Sequence, residues 1–267
     1  MTAPIPWSEL KQQDTDTQYS LAKILSIWAV VSLPMGLLAW GVAPALTPHT
    51  SLHPGVVYWL LMILGMAWQF AVSLYLLRRE LGSLHWHRLR ERIWLNWPRD
   101  PHTGRENPRL LWWVFPCMLF SAGFALGLFP FLDAPMVWLL SGLNVPEQPN
   151  LGDLATPQFK GQWWLLGVAV VSNLFNHLLG EELLFRGVLL PKMRGVFGRW
   201  DWLANAVLFG LYHLHKPWSL FSIIVSSLAF SWPARRFRSN WMAVIVHGAE
   251  GIFLLVLVLG ILLGQTS

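Results

Sequence analysis

The sequence predicts an all-α, polytopic membrane helix bundle of about seven transmembrane helices. Two quantities and one pattern carry that prediction. Only 12% of the residues are charged and 54% are hydrophobic, whereas an average soluble domain has about 25% charged residues. The 267 residues include 18 tryptophans, which suits a chain with many helix ends at the headgroup level, where indole rings prefer to sit. The basic residues fall in clusters between apolar runs, as the positive-inside rule produces. The net charge of +5 therefore points to membrane lipids as partners and away from nucleic acid. Cys117 is the only cysteine; it lies in an apolar run and can form no disulfide within the chain.

A span needs about twenty apolar residues, and residues 21–46 and 55–77 qualify directly. Ala43-Pro44-Ala45 resembles a signal-peptidase site, but the run before it is long enough to be a retained first span. The stretch 78–109 is the largest polar loop. It carries Arg78, Arg79, Arg88, Arg90, Arg92, Arg99, Arg105 and Arg109, an excess that places it, and with it the N-terminus, in the cytoplasm. Residues 110–130 form a third span. The following 131–160 holds Asp133, Glu147 and Asp153 against Lys160, the composition of an outer loop, and "APMVWLLSGL" within it reads as a short interfacial helix. A fourth span starts near Gly161, and Lys192, Arg194 and Arg199 behind it mark the inner side again. Shorter runs at 201–214 and 217–232 give the fifth and sixth spans. Arg235, Arg236 and Arg238 follow, and 241–263 is the last span, with the C-terminus outside. This pattern fits a multi-pass protein of the bacterial inner membrane.

The fourth span runs into "HLLGEELLFRGVLL". A charge at a bilayer centre costs roughly 2.5–3.5 kcal/mol, so charges found there are usually functional or paired. Residues four apart share a helix face, which sets Asn173, His177 and Glu181 in one stripe and Glu182 with Arg186 in a second. An internal ion pair accounts for the second stripe alone and leaves Glu181 without a purpose. Two further spans bring His213 and His247 into apolar surroundings, while His215, next to Lys216 and Pro217, reads as interfacial. A buried carboxylate beside an imidazole can hold a water and take its proton, and a second histidine can stabilise the oxyanion that forms when the water attacks an amide. No G-x-S-x-G or H-E-x-x-H is present.

"EELLFRG", Phe209 with His213, and His247 after "RFRSNWMAVIV" together resemble the motifs of the CPBP intramembrane proteases, the CAAX-protease and bacteriocin-processing group. The resemblance covers roughly residues 161–255. It implies a glutamate-dependent endopeptidase without cofactor or metal, in which Glu181 and His213 activate water and His247 supports the oxyanion. Glu182, Arg186, Asn173 and His177 would be supporting residues, and the substrate a membrane protein or lipid-anchored peptide cut near the cytoplasmic side. On this reading residues 161–267 form the protease core. Residues 1–160, with three spans and the basic loop at 78–109, complete one integrated membrane domain. The sequence departs from the family pattern at Gly251, four residues after His247, where an Asn or Asp is expected.

Three other functions fit the same residues: a catalytically inactive member acting as an immunity factor or scaffold, a divalent-metal hydrolase using Glu181, Glu182, His213 and His247, and a proton-coupled transporter. Spacing also sets an expectation for depth. From Trp163 to Glu181 is about 27 Å of helix and from Trp241 to His247 about 10 Å, which places both near the inner leaflet. His213 must then meet them in a cavity expected to open to the cytoplasm.

Overall fold

The computed structural model describes residues 18–143, 145 and 148–265. The expected outer-loop acid Glu147 lies outside them. Among the described residues the chain is helical, without a strand, and has one isolated bridge between Arg99 and Glu106.

Helix α1 (Leu21–Leu37) is capped by Ser20, whose side chain accepts from the Lys23 N–H. It continues through a π turn, Leu38–Val42, as far as Leu46. Helix α2 (Pro54–Leu81) begins on a proline, whose missing N–H is no loss in a first turn. It ends at Gly82 with φ of 70°, a conformation that glycine adopts without strain. Helix α3 (Trp86–Arg92) lies in the basic loop. Then come α4 (Val114–Gly127), α5 (Phe129–Gly142), α6 (Trp164–Leu174), α7 (Asp201–Tyr212), α8 (Leu220–Phe237) and α9 (Asn240–Leu263).

Four segments are long and apolar enough to cross a membrane: Leu21–His49, Pro54–Leu81, Pro108–Gly127 and Asn240–Leu263. They match the first, second, third and last expected spans. The other three expected spans are α6 to α8, which are short or interrupted. α7 has 12 residues, or about 18 Å of helix, and α8 contains Pro233 and ends in arginines. The outward faces are those of a lipid-facing bundle. Leu126 is 91% exposed and Trp138 78%, and exposed tryptophans stand at helix starts, Trp112 and Trp113 before α4 and Trp163 and Trp164 at α6, as an aromatic belt requires.

The bundle has two chemically different ends. At one, Lys23 pairs with Glu80, Arg92 with Glu80, and Arg235 with Asp201, while the backbone N–H of Asn240 bonds the Trp94 carbonyl. This arginine-bearing end collects the start of α1, the end of α2, the α3 loop, the end of α8 and the start of α9. Arg92 also reaches inward and donates to the carbonyls of Gly187 (3.0 Å) and Val188 (3.1 Å). The opposite end holds the α1–α2 and α4–α5 junctions and the loop 213–219. There Trp40 donates to the Leu214 carbonyl and Tyr58 to that of His215. One apolar core runs through both halves of the sequence, from Tyr19 and Ile24 to Ala243 and Val246.

α7 and α8 pack together at Gly210, where an added Cβ would strike the Ile224 side chain. Gly210→Val should cost about 1–3 kcal/mol by overpacking, read as a lower midpoint of thermal unfolding in detergent; an unchanged midpoint would refute this account of the contact.

Candidate active site

The chain around the paired glutamates is not regular α-helix. α6 gives way to π geometry at Phe175–Leu179, turns at Gly180, and after Glu181 and Glu182 resumes π geometry over Leu183–Leu189. Gly180 makes the break possible. Its N–H bonds the Phe175 carbonyl at 2.7 Å, and a Cβ there would lie 2.6 Å from that oxygen and 3.2 Å from the Met66 carbonyl of α2. π-bulges of this kind are frequent at functional sites.

The break changes which residues meet. Four-residue spacing put Asn173 and His177 with Glu181, but the wider turn brings Asn176, five residues earlier, over the carboxylate instead. In the amide orientation that satisfies both its ends, Asn176 donates to the two Glu181 oxygens at 2.9 and 3.1 Å. His177 turns to α9, with its ring edge-to-face on His247 at 4.5 Å and Nδ1 bonded to the Asn173 carbonyl at 3.2 Å. Asn173 donates to Ala169 of its own helix.

Glu181 is 3% exposed and sits between two imidazoles. Oε1 lies 3.8 Å from His213 Nε2, and Oε2 lies 4.0 Å from His247 Nε2. His213 ends α7, and its Nδ1–H donates to the Phe209 carbonyl at 2.8 Å, so Nε2 is left as an acceptor facing the carboxylate. His247 donates from Nδ1 to Glu182 Oε1 at 2.8 Å and stacks on Phe230 with an interplanar angle of 3°.

Glu182 is shared. The oxygen that accepts from His247 also accepts from Arg186 Nη1 at 3.0 Å, so the ion pair is one part of a chain that orients a histidine on another helix. Arg186 is fully buried, 4.1 Å from the Phe209 ring centre and 4.5 Å from that of Phe230. Its Nε and Nη2 donate to Ser231, whose hydroxyl donates in turn to Asn205 Oδ1. Ser231 and Asn205 carried no motif; a small polar residue inside an apolar run was the only signal of a helix-to-helix hydrogen bond.

Asn176, His177, Glu181, His213 and His247 stand on the wall of a cavity of about 430 Å³. His215, expected at the interface, is buried and lines this cavity. Its neighbour on the same loop is His213, 5.2 Å away between ring centres. Glu250 lines it too and accepts from Ser121 (2.9 Å) and Ser226 (3.0 Å). Among the described residues no three His, Cys, Asp or Glu side chains are grouped to hold one metal ion.

Gly251 has a steric explanation. A Cβ at this position would run into Asn173 Oδ1 and come within 2.7 Å of the His177 ring. The space next to His247 that a side chain at 251 would fill is taken by α6 and its π turn.

Two outcomes follow. Arg186→Ala leaves the Glu182 carboxylate buried with only His247, and should cost about 3–5 kcal/mol, measured as loss of folded yield and of thermal stability. Gly251→Asn should lower stability by about 1–3 kcal/mol through overpacking, and Asn173→Gly in the same chain should recover part of it; a stabilising Gly251→Asn would show the site is looser than described.

Residues 162–253 match the family model described as type II CAAX prenyl endopeptidase Rce1-like. No curated protein and no solved structure matches the chain. Glu181, Glu182, Arg186, His213 and His247 all fall inside the matched segment, and it is over this segment that the chain is similar to the Rce1-like type II CAAX prenyl endopeptidases.

Proposed function

We propose that the chain is a multi-pass membrane endopeptidase that hydrolyses a peptide bond of a membrane protein or lipid-anchored peptide with a water activated by Glu181 and His213. The observation that carries this reading is the position of the Glu181 carboxylate, within water-bridging reach of two imidazoles on two other helices. A water there donates one proton towards Glu181 and the other towards His213 Nε2, and its lone pair faces the cavity. As it attacks the carbonyl carbon, Glu181 takes its proton. His247, held by Glu182, faces the oxyanion. Collapse breaks the C–N bond, and the departing amine takes the proton back from Glu181. General-base assistance of this kind contributes typically about 10²–10⁴-fold.

In this reading residues 161–267 are the catalytic core and 1–160 supply packing, and the chain crosses the bilayer seven times. α6 to α8 span as a group, shielded by the four long apolar helices. The arginine-bearing end faces the cytoplasm, because charge asymmetry in short loops sets orientation, and the location is the bacterial inner membrane. A second reading, a member that only binds and acts as an immunity factor or scaffold, draws on Gly251, which gives His247 no polar partner from its own helix.

The two readings separate on one substitution. Glu181→Gln should abolish processing while leaving the protein level near normal, and His213→Ala should slow processing by roughly 10²–10⁴-fold, both followed by the membrane-protein fragments that accumulate in cells. Full processing by the Gln variant would leave the binding-only reading.

A further inference from the structure

The cavity is not centred on the site; it leads away from it in one direction. On α9 its wall is formed by His247, Glu250 and Leu254, about 10, 15 and 21 Å from Asn240 at 1.5 Å per residue. On α2 it is formed by Trp59, Met62 and Met66, in the half remote from Arg78 and Arg79, and on α8 by residues from Ser222 to Phe230, before the terminal arginines. Phe129 at the α4–α5 junction and Lys216 and Ser219 of the 213–219 loop complete it. Each element gives the same direction: from Glu181 towards the end that lacks the arginines.

Ser226, Glu250, Ser222 and Lys216 stand on that route among apolar side chains, and Glu250 is exposed. An ionisable group at such depth is stable where it borders a water-filled cavity. The other direction is closed. Between Glu181 and the arginine-bearing end lie Arg186 with its serine and asparagine partners and then Phe185, Leu189, Leu190, Met193, Ala234 and Met242, each with no exposed surface. A peptide presented at the arginine-bearing face meets this packed layer and not the carboxylate.

The sequence expectation of a site open to the cytoplasm and the cytoplasmic placement of the arginines therefore exclude one another, because cavity and arginines lie at opposite ends. The charge asymmetry is the stronger of the two. Among the described residues, Lys160 and Lys216 are the lysines and arginines of the far end, and the rule that reads such asymmetry sets orientation in short loops.

We propose that the cavity admits its substrate from the exoplasmic side, so that the bond placed at Glu181 belongs to a membrane-protein or lipoprotein segment at the outer flank of its membrane anchor. This rests on the endopeptidase reading for the cleavage, and on the cavity's direction and the charge asymmetry for the side. Two measurements on the full chain test it. With Cys117→Ser as background, Ser219→Cys and, independently, Lys216→Cys are treated in intact cells with a membrane-impermeant maleimide, and Thr103→Cys in the basic loop serves as the inner reference. Labelling of the cavity positions without permeabilisation, with Thr103→Cys labelled only after it, is the expected result; the reverse pattern overturns the proposal. Sequencing of new protein N-termini in membranes from cells with the unaltered chain and with Glu181→Gln then locates the cleaved bonds. Termini lost in the variant should map to exoplasmic flanks of membrane segments, and a cytoplasmic majority overturns the proposal. If no terminus is lost, the endopeptidase reading fails, while the labelling still decides which side the cavity faces.

Discussion

One buried carboxylate oxygen organises this molecule. Glu182 Oε1 accepts from Arg186 on its own segment and from His247 on α9, and Arg186 passes the connection to Ser231 on α8 and, through it, to Asn205 on α7. A buried ion pair is weak support for stability by itself, because desolvation of both charges offsets much of their attraction. Here the pair is tied to three other helices through His247, Ser231 and Asn205, and the guanidinium lies on Phe209 and Phe230. What this arrangement gains is position. It fixes how far α9 stands from the glutamates, and so where His247 Nε2 points.

The division between Glu181 and Glu182 follows from the same geometry. Adjacent residues on a helix point about 100° apart, so one carboxylate turns into the protein and the other towards the cavity. The inward acid accepts from Arg186 and His247 through its Oε1. The outward one has Asn176 on one side and two imidazoles at a distance a small molecule can bridge. Two identical side chains next to each other thus acquire different chemistry from direction alone.

Much of this was legible in the sequence. Charges inside apolar runs marked Glu181, Glu182, Arg186, His213 and His247, and the four long apolar segments marked their own helices. Three things were not. The register of Asn176 could not be read, because a periodicity of 3.6 assumes a regular helix and the chain here takes wider turns. The crowding at Gly251 depends on which helix packs against it, a tertiary fact that no local pattern encodes. The direction of the cavity depends on where loop 213–219 folds back, and so His215 reads as a surface residue although it lines the interior.

A π segment is wider than α-helix, with its backbone bonds running five residues back. Arg92 reaches the second of the two beside the glutamates. From the basic loop it holds two backbone carbonyls of the second π segment, at Gly187 and Val188, while Glu80 holds the guanidinium itself. The basic loop is thus joined to the backbone of the segment that follows the glutamates, and a substitution at Arg92 would be felt at carbonyls five and six residues beyond Glu182.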